Sequence, residues 1–349
     1  MAVTLKDIAI KAKVSRPAVS LFLNNSETKH VSAENKKLIS KAIDELGYRP
    51  NYAARSLRGG ASMTIGIVGG MFSVPVHDAI NNALMHELWR HGYQALLGEN
   101  INSNATTKSI CAELESRGVD ALIITSAASE KEKENISVPF VSVTHNQAHF
   151  DIAIDMEHGG YLAGKHLIEH GHQKISYVST SLKGRFKGLE RALCEAGLDS
   201  CEKFHVIRNS ANPEKQILSL FKDSGVSAFF CINDFTAAAV MKTLQDSGIK
   251  VPQEAAVIGF DGLAFTEFTS PALTTIVQPV QELASESVKL LLNKLKGVKI
   301  DTKQKLIKPY LSKGSSCGCN KNSLQNISSA GSKSTLNYFK KETSCQHSL

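Results

Sequence analysis

From Thr64 to Val277 short apolar runs recur with amphipathic stretches between them, and this alternation narrows the possible folds more than any other feature of the chain. The runs TIGIV (64–68), YQALLG (93–98), DALIIT (120–125), PFVSV (139–143), DIAI (151–154), KISYVS (174–179), FHVIR (204–208), SAFFCI (227–232), AAVIGF (255–260) and LTTIV (273–277) have strand length and strand composition. Helical patterns fall between most of them, at about 77–91, 105–117, 157–170, 185–196, 213–224, 234–247 and 280–296. Strand, helix, strand in strict order requires crossover connections, and crossovers produce parallel sheets with helices on both faces. About ten strands divide into two such lobes, with a break near Asp155 and a return crossing near Pro279.

The first sixty residues are of a different kind. They hold 11 Lys/Arg against 5 Asp/Glu, whereas residues 61–312 hold 24 against 27, so the +7 of the whole chain is concentrated at its ends. Basicity at one end points to a polyanion partner for that end, the alternative being a solvated lysine-rich face. Thr4 and Asp7 form a capping-box pattern ahead of Leu5, Ile8, Ala9 and Ala12, which share a helical face. After a break at KVS, Ser15 can cap a second helix, RPAVSLFLN, with Pro17 in its first turn and Val19, Phe22 and Leu23 as its apolar stripe. Val31 and Ser32 serve as staple and cap of a third, in which Leu38, Ile39, Ala42, Ile43 and Leu46 face inward and Gly47 ends the helix. Three short helices with a basic exterior match the helix-turn-helix pattern.

Those residues, VTLKDIAIKAKVSRPAVSLFLN followed by VSAENKKLISKAIDELGYRPNYAARSL, resemble the DNA-binding headpiece and hinge of the lactose-repressor (LacI/GalR) family. The resemblance implies that Ser15, Arg16, Pro17, Ser20 and Leu21 face bases or backbone in the major groove. It also implies that Thr4, Asn24 and Asn51 lie against the DNA backbone, and that residues 49–60 fold as paired hinge helices on an operator, with Ala54 packed closely and Leu57 wedged into the minor groove. Arg16 suits guanine O6/N7. Leu21 stands where the family commonly has arginine or histidine, Ala18 lacks a hydroxyl usual there, and the loop NSETKH is about two residues longer. Operator sequence therefore does not transfer from a relative.

In the body, GGYLAGKHLIEHGHQKISYVS, AFFCINDFTAAAVMKTLQDSGIKVPQEAAVIGFDGLAF and SPALTTIVQP resemble the same family's core, shaped like periplasmic sugar-binding proteins. The resemblance implies an effector cleft with Arg185, Asn233 and Asp261 on the ligand, and Thr144 where some relatives place an aspartate. A carboxylate and a guanidinium can each bond neighbouring hydroxyls, and an Asn amide adds a donor and an acceptor. An Arg185–Asp261 pair can equally be a structural salt bridge. Val280 occupies a position where an aromatic is found, and these departures count against carrying over a sugar class; a sugar is the first expectation, and a nucleobase or other small metabolite stays open.

Other motifs carry less. GGYLAGKH (159–166) nearly spells a phosphate loop, but His166 replaces the hydroxyl that would hold magnesium. No G-x-S-x-G or other catalytic set is present, and no cofactor is expected. Seven cysteines without C-x-x-C spacing read as reduced thiols; Cys317 and Cys319 form one close pair with no further ligand nearby in sequence, so no metal is expected. EHGH (169–172) reads as a solvated helix end. The start has lysines among its apolar positions, which fits neither a signal peptide nor a span, so a cytoplasmic protein with no membrane partner is expected.

The expected architecture is α/β: a headpiece over 1–48, a hinge helix over 49–60, and a two-lobed core of parallel sheets over 61–312. Lobe 1 takes about 61–156 and 279–305, lobe 2 about 157–278 and 306–312, and a disordered tail follows over 313–349. The expected function is a homodimeric transcriptional regulator, a repressor, that binds a palindromic double-stranded operator under control of a small metabolite. A metabolite-binding protein with a degenerate headpiece is the alternative.

Overall fold

The computed structural model describes residues 3–24, 28–49, 60–69, 74–99, 106–125, 129–143, 150–179, 182–198, 212–298 and 304–319. Its contacts divide the chain into two units, Met1–Met63 and Thr64–Leu349. The hinge residues Asn51, Ala54 and Leu57, the effector position Thr144, the run FHVIR and the chain from 320 onward lie outside the described residues.

Among its described residues the first unit holds three helices, α1 (Leu5–Ala12), α2 (Arg16–Asn24) and α3 (Ala33–Leu46). Ile8, Val19 and Ile39, one from each helix, are fully buried against Ala9, Ala12, Val31 and Ala42. Asp7 accepts from both the backbone N–H (2.8 Å) and the hydroxyl (2.7 Å) of Thr4, and these bonds hold its carboxyl below the usual range. Ser32 accepts from Asn35 N–H and Gly47, at φ 61°, closes α3, as the sequence pattern predicts. One expectation fails: Leu38 is 42% exposed, because the inward stripe of α3 narrows to Ile39, Ala42, Ile43 and Leu46 in so small a bundle.

The second unit opens with β1 (Thr64–Gly69), α4 (Pro75–Arg90), β2 (Gln94–Glu99), α5 (Thr107–Ser116), β3 (Ala121–Ile124), the single-turn α6 (Glu130–Lys133) and β4 (Phe140–Ser142). These strands form a parallel sheet in the order β2-β1-β3-β4. The chain crosses through β5 (Ile152–Ile154) into α7 (Met156–Glu169), β6 (Ile175–Val178), α8 (Arg185–Glu195), α9 (Pro213–Lys222), β7 (Ala228–Cys231), α10 (Asp234–Asp246), β8 (Ala256–Asp261) and β9 (Thr274–Val277). It then returns through α11 (Val280–Leu295), which packs on α4, and finishes with β10 (Lys305–Ile307), paired with β5, and β11 (Tyr310–Ser312). The second sheet runs β11-β9-β8-β7-β6, parallel except for β11, which is antiparallel to β9.

Central strands β3, β7 and β8 are buried on both faces, which is why they read as unbroken apolar runs, while the edge strand β2 is half-exposed. Three features were not anticipated: the short α6, and the strands β10 and β11, whose three-residue length carries no periodic signal. The tail expectation is corrected over 313–319. Ser316 is fully buried, its hydroxyl donating to Val257 O (2.6 Å) and accepting from Thr274 N–H (2.9 Å), so hydrogen bonds hold a segment that composition alone reads as disordered. Among the described residues no helix is long and apolar enough to cross a membrane.

Candidate functional site

In the headpiece, α2 leaves Ser15, Arg16, Pro17 and Leu21 exposed and Ser20 partly so, while Val19 on its opposite side anchors the bundle. The turn between α1 and α2 is set by Lys13 in the left-handed region (φ 55°), whose N–H caps the carbonyls of Ala9 and Ile10. Ser15 Oγ accepts from Ala18 N–H at 3.3 Å, so part of its hydrogen-bonding capacity caps α2. Leu21 is 43% exposed, an apolar side chain on an otherwise polar face that can meet a thymine methyl. Glu45 is engaged by Lys11 at 2.9 Å, whose ammonium holds that carboxyl low, so one acidic group of α3 is neutralised locally.

The second constellation lies at the carboxyl ends of the five-stranded sheet, where ligands bind in open α/β folds. Arg185 opens α8 after β6, Asn233 caps α10 after β7, and Asp261 ends β8. Arg185 and Asp261 meet at 3.5 Å, and the guanidinium lies 4.1 Å over the Phe260 ring. Beneath them Tyr177, Phe230 and Phe260 pack in a row through the core with tilted rings, centroids 5.2 and 6.4 Å apart, giving the ion pair an apolar floor. Gln278 donates to Asp261 Oδ1 at 2.7 Å. Burial pushes the Asp261 carboxyl up to about 7 against the pull of Arg185, and pushes Asp234 up to about 6 against its hydrogen-bond donors. Asp261 also sits at φ 117°, a backbone region that side chains rarely adopt.

This site is incompletely satisfied. Arg185 Nε and Gln278 Oε1 are buried without a hydrogen-bond partner, unlike the groups of a settled structural salt bridge. Asn233 Oδ1 accepts from Thr236 N–H at 2.8 Å, so one of its two lone pairs serves the helix cap, and the other together with the amide donors stays available to a ligand.

Sequence reasoning missed several neighbours. Asp234 is fully buried and accepts from Thr275 Oγ1 and from Leu263 N–H, tying β9 and the loop after β8 to the start of α10. Phe235 and Phe265 stack at 4.6 Å, and Phe235 is 52% exposed, an apolar wall beside Asn233. The signal was available in the phrases INDF and GLAF, where an aromatic follows the polar strand end. At the carboxyl ends of the other sheet, His77, Ile80, Thr125 and Val143 line a small concavity, and burial lowers the His77 pKa. Nearby, the Asn81 amide is buried with no hydrogen-bond partner, close enough to the end of β1 that a Cβ on Gly69 would sit 3.2 Å from it.

The near-phosphate loop GGYLAGKH lies within α7, as its helical pattern predicts, with Gly159, Gly160, Ala163, Gly164 and His166 buried. Its glycines serve packing: a Cβ on Gly160 would collide with the Arg185 carbonyl, and one on Gly188 with the backbone of Glu157 and Tyr161. Two readings are corrected in place. His170 is not simply a solvated helix end, and Cys317 and Cys319 are not without neighbouring ligands, because the fold brings His166 and His170 of α7 against them.

Comparison with known proteins gives two matched families: bacterial regulatory proteins of the lacI family over residues 4–51, and the periplasmic binding protein-like domain over 165–317. The HTH-type transcriptional repressor PurR of Pasteurella multocida is 31% identical over 309 residues, covering 84% of this chain and 92% of the relative. PurR of Aliivibrio salmonicida is 31% identical over 312 residues, with the same coverage. Among solved structures, a lac repressor dimer bound to operator and the anti-inducer ONPF is similar with a TM-score of 0.74 at 25% identity, over 91% of this chain and 99% of that one. A LacI family regulator from Enterococcus faecium with bound ribose gives 0.62 at 28% identity, over 72% and 98%.

Proposed function

This chain belongs to the LacI family of bacterial regulatory proteins, and on that premise we propose that it represses transcription as a homodimer on a palindromic operator, released or recruited by a metabolite bound at the Arg185–Asp261 site. Two-fold pairing follows from the geometry of helix-turn-helix readers, whose half-sites mirror the symmetry of the protein. Ser15, Arg16, Pro17, Ser20 and Leu21 read the major groove. Thr4, Asn24 and Asn51 take the backbone, and Ala54 and Leu57 of the hinge open the minor groove at a cost of a few kcal/mol that the added contact offsets. A buried mini-core with Arg16 exposed on α2 supports a working headpiece over a degenerate one. A protein that reads DNA this way has no need of catalysis, and the setting it needs is the cytoplasm.

The single observation that carries the effector reading is the unpaired state of buried Arg185 Nε and Gln278 Oε1 beside the strained, buried Asp261. One unmet donor and one unmet acceptor beside a carboxylate suit a polyol, whose neighbouring hydroxyls each donate and accept, and a sugar is the ligand class we assign. A second reading, a planar base, is favoured by the Phe235–Phe265 wall, on which a flat ring can stack. Thr144 is retained as a contact by resemblance alone.

The deciding experiment measures operator affinity of the wild type and Asp261→Ala against panels of sugars and nucleobases. The wild type should change affinity at least about tenfold with one ligand, a coupling of roughly 1.4 kcal/mol. Asp261→Ala should keep ligand-free operator binding and lose the response. An unchanged response in the variant, or loss of operator binding without ligand, sinks the assignment. A steep fall of affinity with salt separates operator recognition from weak, sequence-blind adhesion.

A further inference from the structure

We propose that His166, His170, Cys317 and Cys319 form a four-ligand zinc site that clips the chain after β11 onto α7. Cys317 Sγ lies 3.2 Å from His166 Nε2 and 3.3 Å from Cys319 Sγ, while Cys319 Sγ lies 3.3 Å from His166 Nε2 and 3.4 Å from His170 Nε2. All four donor atoms fall within 4.8 Å of one another. A tetrahedral ion bonded at about 2.3 Å to sulfur and about 2.0 Å to nitrogen holds its donors roughly 3.3–3.8 Å apart, so small side-chain shifts complete the geometry.

The local sequence explains the convergence. His166 in the last turn of α7 and His170, its C-cap, are four apart and fall on one side of the helix end, their rings 4.5 Å apart. Gly318 takes φ +90°, which folds the C-G-C segment back so that both thiols face the helix. Thr274 Oγ1 lies 3.0 Å from Cys317 Sγ and can orient it. The buried hydrogen bonds of Ser316 to β8 and β9 fix the base of the turn.

Chemistry selects the ion. Two imidazoles and two thiolates are the donor set of tetrahedral zinc, and four protein ligands leave no open position, which marks a structural site and not a hydrolytic one. Zinc with two thiolates is neutral overall, so the cluster can stay half-buried without an uncompensated charge. The site lies at the strand beginnings of the second sheet, near Val257 and Thr274, at the opposite end from Asp261. It is therefore a clasp on the fold and separate from the effector residues.

The test uses untagged full-length protein purified under mild reductant. Wild type, Cys319→Ser and His170→Ala are stripped with chelator, reloaded with Zn²⁺ or Co²⁺, and freed of excess ion by gel filtration. Wild type should retain one zinc per chain, gain roughly 5 °C or more in Tm on loading, and with cobalt show thiolate charge-transfer together with the intense visible bands of tetrahedral coordination. Both variants alter partly exposed groups, should stay folded, and should lose stoichiometric metal. Wild type that retains no metal, variants that retain as much as wild type, a cobalt spectrum without sulfur bands, or a Cys317–Cys319 disulfide in the reduced preparation would each overturn the proposal.

Discussion

Lys13 is the residue on which the helix-turn-helix angle depends, and it holds a left-handed backbone that only glycine adopts without cost. Lys13→Gly is expected to stabilise the headpiece by about 0.5–1 kcal/mol, read as slower hydrogen exchange of the α1 amides in the intact protein. Arg16 gives the opposite case: it packs against nothing in the core, so Arg16→Ala should leave folding intact, cost about 1–3 kcal/mol of operator binding, and relax the preference at a single base pair. A uniform loss across all operator variants would instead mark Arg16 as a phosphate contact.

At the scale of elements, the backbones of α7 and α8 approach closely, because Gly160 and Gly188 remove the side chains that would stand between them. Gly188→Ala should therefore cost about 3 kcal/mol or more, measured by denaturant unfolding, since the obstacle is backbone and cannot rotate away. The same substitution displaces the first turn of α8, which carries Arg185, so any ligand response should weaken with stability. The hinge helix proposed over 49–60 would be a different kind of element, since about a dozen residues are too few for a helix stable alone in water. Leu57→Ala is expected to weaken operator binding far more than non-specific binding, as compared by competition with random duplex; equal weakening of both would remove the wedge from the mechanism.

For the whole molecule, buried carboxylates make stability depend on pH. Burial raises Asp261 to about 7 from an ordinary carboxylate value, so between about pH 4 and 7 the folded chain holds a proton that the unfolded chain has lost. Its contribution to stability thus falls as pH rises through that window and is constant above it. Asp261→Asn should abolish that share of the slope, seen as a wild-type-minus-variant difference in urea midpoint that changes between pH 4 and 7 and is flat from 7 to 9. The neighbouring groups are Arg185, Asp234 and Gln278; Asp234, itself raised by burial to about 6, titrates in the same window and is coupled to Asp261, so the difference reports the pair. Coupling between operator and effector must also be reciprocal, so a ligand that weakens operator binding should itself bind more weakly to the operator complex, by the same factor.

Several features were decided by the sequence alone. The caps at Thr4, Ser32 and Gly47 and the alternation that yields two parallel sheets are local, set by helix-end hydrogen bonds and by hydrophobic period, so they were legible one segment at a time. The effector residues were named by resemblance, and their placement at three neighbouring strand ends follows from strand order. What the tertiary structure alone decided is non-local. Leu38 faces water because the bundle is too narrow to cover it. Asn233 commits one lone pair to a helix cap, and Asp234 ties together elements about forty residues apart, as its bond to Thr275 shows. Cys317 and Cys319 meet His166 and His170 across about 150 residues, as the separation in their hydrogen bonds records. No periodicity encodes such a meeting, because the distance between two side chains in different elements is fixed by how the sheets and helices pack and not by how far apart the residues stand in the chain.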